Sequence, residues 1–210
     1  VKYQKYIKGK KVILAGPAIT LIGKKTGAFI DSHDVVIRTN GAFPVLNKYH
    51  IDYGKKCDSL YINSLFARET QLPIGDYLNH GLKFLSLKED KKNMFQRYKS
   101  SGLNIRVITK EYIKSKKEMG ILPLMGNYII YEILKFNPKS LYITGMSLYS
   151  EESISDHYLN EYLPNVCNIE KLDNTRVKHH NPLKQDKYLK DMLVSNKVTA
   201  DDSILKILNL

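Results

Sequence analysis

The sequence predicts an α/β fold: one Rossmann-like domain over residues 1–210, with a mainly parallel twisted sheet flanked by helices. Three observations carry this reading. Short apolar runs of strand length recur along the chain. Segments with apolar residues at helical spacing interrupt them. Several of the runs stop on Gly or Asn, as strands do when they turn sharply. No internal repeat, low-complexity tract or linker composition divides the chain.

The elements follow in order. KVILAG (11–16) is a buried strand ending at a Gly turn, and AITLIGKKTGAFI then reads as a helix or helical turn ending near Gly27. DSHDVVIRTN supplies a second strand centred on 35–37, leaving through Asn40–Gly41, an ordinary turn pair. CDSLYINS, LKFLSL (82–87) and NIRVITK (104–110) are three more strands. Pro123–Leu124–Met125–Gly126 precedes NYIIYEILKFN, a helix that stops before Pro138. SLYITGMSLY is a strand to Gly145, and 151–180 reads as loop and short helix. The tail holds one helix with Pro182 in its first turn and another after Asp201–Asp202.

In open parallel sheets ligands sit at the carboxyl ends of the strands. That rule marks Gly16–Pro17–Ala18, Arg38–Thr39–Asn40, Asn63–Ser64 and Gly145–Met146–Ser147.

Composition narrows the function classes. The chain is 43% hydrophobic and 26% charged, the balance of an ordinary globular protein. It has no apolar run approaching the roughly 18 residues of a membrane span. The opening VKYQKYIKGKK is basic without the apolar stretch of a signal peptide. The net charge of +12 favours anionic partners, whether nucleic acid, phospholipid head groups or sugar nucleotides and acidic glycans. Much of it is scattered Lys, with no arginine-rich arm or zinc-finger spacing, so no specific nucleic-acid partner is expected. Cys57 and Cys167 form neither a metal spacing nor a disulfide framework, which fits unpaired thiols in a reducing compartment.

A Gly turn after the first strand lets backbone N–H groups approach a phosphate. Alone this is weak, because the segment is neither GxGxxG nor a P-loop. The stretch IDSHDVVIRTNGA, preceded by VILAG, carries more. With Gly27, Ile30, Asp31, Ser32, His33, Asp34, Val36, Arg38 and Asn40 in register and Gly54–Lys55–Lys56 after it, it resembles the large L sialylmotif of the animal-type sialyltransferases, glycosyltransferase family 29. Pro123–Gly126, its helix and LYITGMSLYS resemble the small S motif. Asp156–His157–Tyr158 resembles the short third motif, and His180-Asn-Pro-Leu-Lys-Gln185 resembles the very small motif, His-x4-Glu.

The resemblance implies a GT-A-like variant of the fold and a CMP-sialic acid donor used as co-substrate, with no metal and no other cofactor. It implies His180 as the base that deprotonates an acceptor glycan hydroxyl, with inversion, and His157 as donor to the departing phosphate. The nucleotide would be held by Gly16, Asn40, Asn63, Met125, Gly126 and Gly145. Three departures stand out. Pro17 replaces the family's nucleotide-contacting Asn, Gln185 replaces Glu, and Val12 and Pro138 occupy the positions of the family's disulfide. The missing bridge points to a cytoplasmic bacterial or viral relative, peripheral at most to the inner membrane face, rather than a Golgi-lumen enzyme.

Each residue also has a plainer reading. Loop histidines such as His179–His180 are commonly surface residues, and His33, Asp31 and Asp34 read as holding the turn into the second strand. Tyr128, Tyr131 and Tyr142 read as core or pocket lining. Two further functions compete: transfer of another CMP-activated ulosonic acid such as Kdo, and a noncatalytic basic module binding nucleotide or nucleic acid. Donor turnover separates the first, and steep salt-dependence of polynucleotide binding the second. Neither the acceptor, the linkage nor the oligomeric state is written in the sequence.

Overall fold

The first strand, β1 (Lys11–Ala15), lies inside the sheet between β2 (Val35–Thr39) and β6 (Ser140–Thr144), parallel to both. This is a computed structural model, and it describes residues 2–40, 48–63, 74–89, 94–148 and 180–210. Beyond β2 come β3 (Ser59–Ile62), β4 (Phe84–Leu87) and β5 (Asn104–Val107), and beyond β6 the two-residue β7 (Thr199–Ala200). The order is β5-β4-β3-β2-β1-β6-β7, with every pairing parallel. The chain therefore builds outward from β1 in one direction, then returns and builds in the other. The β1/β6 boundary is the topological switch point, and a crevice opens there at the strands' carboxyl ends.

The apolar runs exist because the sheet is covered on both faces. Val12, Leu14, Val35, Ile37, Leu141 and Ile143 point to one face. They pack there with α1 (Lys2–Ile7), α6 (Thr109–Met119), α7 (Met125–Lys135), α8 (Pro182–Val194) and α9 (Asp202–Ile207). Ile13, Ala15 and Val36 point to the other face, against the 3-10 turn Ile19–Leu21, α2 (Gly27–Asp31) and α3 (His50–Tyr53). Leu60, Ile62, Leu85 and Leu87 continue that second face against α4 (Ile74–Asn79) and α5 (Met94–Tyr98).

Several boundaries differ from the sequence reading. The segment expected as a helix or helical turn ending near Gly27 holds only the 3-10 turn Ile19–Leu21, and α2 begins at Gly27. Gly23 and Lys25 adopt positive φ and break 18–26 into turns. Gly27 is glycine because α3 lies against it: a Cβ would stand 2.2 Å from the carbonyl oxygen of His50. The fifth strand stops at Val107 rather than running to 110, since Thr109 opens α6 and its hydroxyl donates to the Lys88 carbonyl. Met125 and Gly126 lie inside α7 rather than before it. The expected loop over 151–180 falls almost wholly outside the described residues.

The resemblance to the L motif turns out to describe scaffold as much as site. The Asp31 carboxylate accepts from the backbone N–H groups of Lys55 and Lys56, and the Asp34 carboxylate from that of Lys11. His33 Nδ1 meets the Phe29 carbonyl at 3.1 Å. Arg38, wholly buried, donates to the carbonyls of Tyr53 and Lys56, and burial lowers its pKa from the usual guanidinium value. These residues hold the turn into β2, as the plainer reading expected for the first three.

Candidate active site

A cleft open to solvent lies at the carboxyl ends of β1, β2, β3 and β6. Its floor is backbone. Gly16 N–H donates to the Thr144 carbonyl and Ala18 N–H to that of Gly145, both at 2.9 Å, so the chains leaving β1 and β6 run in contact. A Cβ on Gly16 would stand 2.2 Å from the Gly145 oxygen. Gly145 itself has φ +63°, and a Cβ there would approach the Gly16 oxygen to 2.7 Å. Two further groups brace this crossing. Tyr53 donates its hydroxyl to the Ala18 carbonyl at 2.5 Å, and the Asp201 carboxylate accepts from Thr144 Oγ1 and Gly145 N. Asp201, expected only to sit in the tail, thus ties the N-terminus of α9 to the floor of the cleft.

One wall is Asn40 and Asn63. Asn40 takes a left-handed φ of 49° at the exit of β2, where the chain must turn, and its Oδ1 accepts from the backbone N–H of Asn63 at 3.1 Å. The opposite wall is the N-terminus of α7. Leu124 precedes it in extended conformation without a side-chain cap, and Met125, Gly126 and Asn127 line the cleft. First-turn amides have no partner within their helix, and the helix dipole makes that end attractive to an anion. Gly126 lets the helix sit against Met146, whose Cε would lie 2.4 Å from an added Cβ.

His180 stands at the end of this wall. Its Nδ1 meets the Leu122 carbonyl oxygen at 2.9 Å. A carbonyl only accepts, so the neutral ring carries its proton on Nδ1 and its lone pair on Nε2. Such a ring can act as a base through Nε2.

Of the candidates, Gly16, Asn40, Asn63, Met125, Gly126, Gly145 and His180 line this one cleft, while His157 lies outside the described residues. Lys88, Tyr112 and Asn127 also belong to it and were not foreseen. Lys88 Nζ stands 4.0 Å from the centroid of the Tyr112 ring, whose hydroxyl donates to the Pro123 carbonyl, and burial pushes that phenol up to about 12. Gln185, 2% exposed, holds the segment beneath His180 and was visible only as a departure from a motif.

Among the described residues no helix is long and apolar enough to cross a membrane, and no three His, Cys, Asp or Glu side chains cluster as metal ligands.

The family model described as "Glycosyltransferase family 29 (sialyltransferase)" matches residues 11–125. No curated protein matches the chain significantly. Among solved structures, a mammalian sialyltransferase in complex with Gal-beta-1-3GalNAc-ortho-nitrophenol superposes with a TM-score of 0.60 at 13% identity, over 94% of this chain and 71% of that one. The Campylobacter jejuni sialyltransferase CstII, in complex with a substrate analogue, cytidine-5'-monophosphate, gives 0.55 at 18% identity, covering 94% and 87%. An apo alpha-2,3-sialyltransferase from Campylobacter jejuni gives 0.53 at 17%, covering 93% and 77%. At these identities the likeness establishes the fold, and His180 lies beyond the residues that the family model matches.

Proposed function

The chain belongs to glycosyltransferase family 29, the sialyltransferases, and from that membership we propose that it transfers sialic acid from CMP-sialic acid to a glycan hydroxyl, with inversion and with His180 as the base. The observation that carries the proposal is the convergence of His180, Asn40, the Gly16–Gly145 floor and the α7 N-terminus on one cleft at the switch point.

The chemistry follows from the groups present. Nε2 of His180 takes the proton of the acceptor hydroxyl as its oxygen forms a bond to the anomeric carbon. The bond from that carbon to the phosphate oxygen breaks on the opposite face, and CMP leaves with the electron pair. The charge that grows on the phosphate is stabilised by the amides of the first turn of α7, which are already oriented. His157 is proposed to donate to the same oxygen as it departs. Asn40 and Asn63, linked by their hydrogen bond, are proposed to hold the nucleoside side of the donor. No metal enters this scheme, since the helix terminus and the proposed donor His157 supply the positive character that the leaving group needs.

The test is release of CMP from CMP-sialic acid and, in parallel, from CMP-Kdo, each with acceptor glycan, with and without EDTA. Turnover of the sialic acid donor, unaffected by chelator and reduced about a hundredfold or more by His180→Ala, is expected. Absence of turnover with every CMP-sugar, or full activity of His180→Ala, would refute it.

A further inference from the structure

We propose that Gln185 is a positioning residue for His180, and that this site requires an amide where the family motif has a carboxylate. The catalytic consequence rests on the transferase reading, whereas the positioning rests on hydrogen bonds alone.

Gln185 lies in the first turn of α8, five residues beyond His180, with a side chain removed from solvent. Every polar position of its amide is used. Nε2 donates to the Leu122 carbonyl at 2.7 Å and to the His180 carbonyl at 2.8 Å. Oε1 accepts from Leu124 N–H at 3.2 Å and from Asn127 Nδ2 at 2.6 Å. The amide cannot be turned over, because Oε1 would then face two carbonyl oxygens and Nε2 two N–H donors.

The Leu122 oxygen thus receives two donors, Nε2 of Gln185 and Nδ1 of His180. A carbonyl has two lone pairs, and both are taken. Gln185 thereby fixes the acceptor that decides which ring nitrogen of His180 carries the proton. It also holds the His180 main chain from one side and the start of α7 from the other. Base and helix N-terminus are joined through one side chain.

A carboxylate cannot serve here. Ionised, it has no donor, and its oxygen would lie within hydrogen-bond distance of the Leu122 and His180 carbonyl oxygens in a dry site. Protonated, it could donate once and would still leave one carbonyl unmatched. Gln185's own partners are neutral. The titratable groups lining the cleft nearby are His180, Tyr112 and Lys88, while Lys184 and Asp186 flank Gln185 on its own helix. Of these only His180 donates to the Leu122 carbonyl, and that bond is already made, so the second donor is not replaced.

The experiment compares wild type, Gln185→Glu and Gln185→Met. It reads kcat against pH with CMP-sialic acid, and the ring ¹⁵N shifts of His180 by NMR. For Gln185→Glu, kcat at pH 8 is expected to drop about tenfold or more, with a smaller change in donor KM. It should recover in part as pH falls and the introduced acid is protonated, opposite in direction to wild type, whose base gains its lone pair as pH rises. Gln185→Met should lose rate without that inverted limb. The ¹⁵N shifts should show the Nδ1–H form in wild type and a mixture of tautomers in both variants. A Gln185→Glu enzyme with the wild-type kcat and pH profile, or the same His180 ring signals in all three proteins, overturns the inference. If wild type turns over no CMP-sugar, the transferase reading fails and the ¹⁵N shifts alone still decide the role of Gln185.

Discussion

Gly16 and Gly145 touch through their backbones, each occupying the space that a side chain on the other would need. Gly145 adds a left-handed φ that costs a non-glycine residue about 1–2 kcal/mol before any clash is counted. Gly145→Ala is therefore expected to lower stability by about 2 kcal/mol or more, and Gly16→Ala by a similar amount, because a carbonyl oxygen cannot retreat as a flexible side chain can. Urea denaturation measures the loss. Calorimetry with CMP should show weakened binding in whatever fraction folds, and a Gly145→Ala protein of wild-type stability would contradict the geometry.

In the proposed reaction His180 can accept the acceptor proton only while its imidazole is neutral. With Nδ1 already donating to Leu122, protonation at Nε2 removes the lone pair. The rate should climb from acid pH toward neutrality as the imidazole gives up its second proton. His180→Ala should lose that ascending limb and keep CMP affinity within a few-fold. Calorimetry and a pH–rate profile check the two halves separately.

Cys57 is fully buried, and burial pushes its thiol up to about 12 from the usual 9.0. The folded state therefore holds the proton more tightly than the unfolded chain. Stability from this group is whole below pH 9 and is lost as pH rises toward 12. In the native protein Cys57 should resist alkylation at pH 8 and react at the rate of unfolding. Fast labelling of Cys57 in folded protein, read by peptide mass, would contradict its burial.

Glu132, on α7, accepts from Tyr61, Tyr128 and Arg106, the last at 2.6 Å. It lies about two turns from the end of the helix that lines the cleft. Removing the carboxylate strands a partly exposed guanidinium. Glu132→Ala should destabilise by about 2–3 kcal/mol, below the fully buried case because Arg106 keeps some water. Assayed well below its melting temperature, the variant should keep kcat close to wild type. A large fall in kcat with unchanged stability would move Glu132 into the site.

Much of the fold could be read from the chain because β1, β2, β3, β4 and β6 are buried on both faces, and burial on two sides writes continuous apolar runs. What escaped has physical causes. β7 is two residues long and leaves no pattern. In α1 and just after it, Lys2, Lys5 and Lys8 surround the buried Tyr3 and Ile7 and hide the amphipathic period behind charge. Gly27 reads as a helix terminator in the sequence, whereas its missing side chain makes room for α3. At the site, Gly16, Asn40, Asn63 and Gly145 were legible because strand ends gather at a switch point. Met125, Gly126 and His180 came from motif resemblance. The Leu122 carbonyl was not legible, since main-chain acceptors look alike in every sequence. Asp201 hid in an acidic pair that looked like a solvated tail.

Ala15 pairs with Thr144 across the β1/β6 ladder, and the next residue on each strand is one of the two glycines. A slip of β6 by one residue would part them and would also turn Leu141 and Ile143 to the wrong side of the sheet. Chain molecules that misalign here forfeit hydrophobic contact and the floor of the cleft together. A well-folded yet floorless population should therefore not accumulate, and during refolding the capacity to bind CMP should return in step with the last tertiary signal rather than after it.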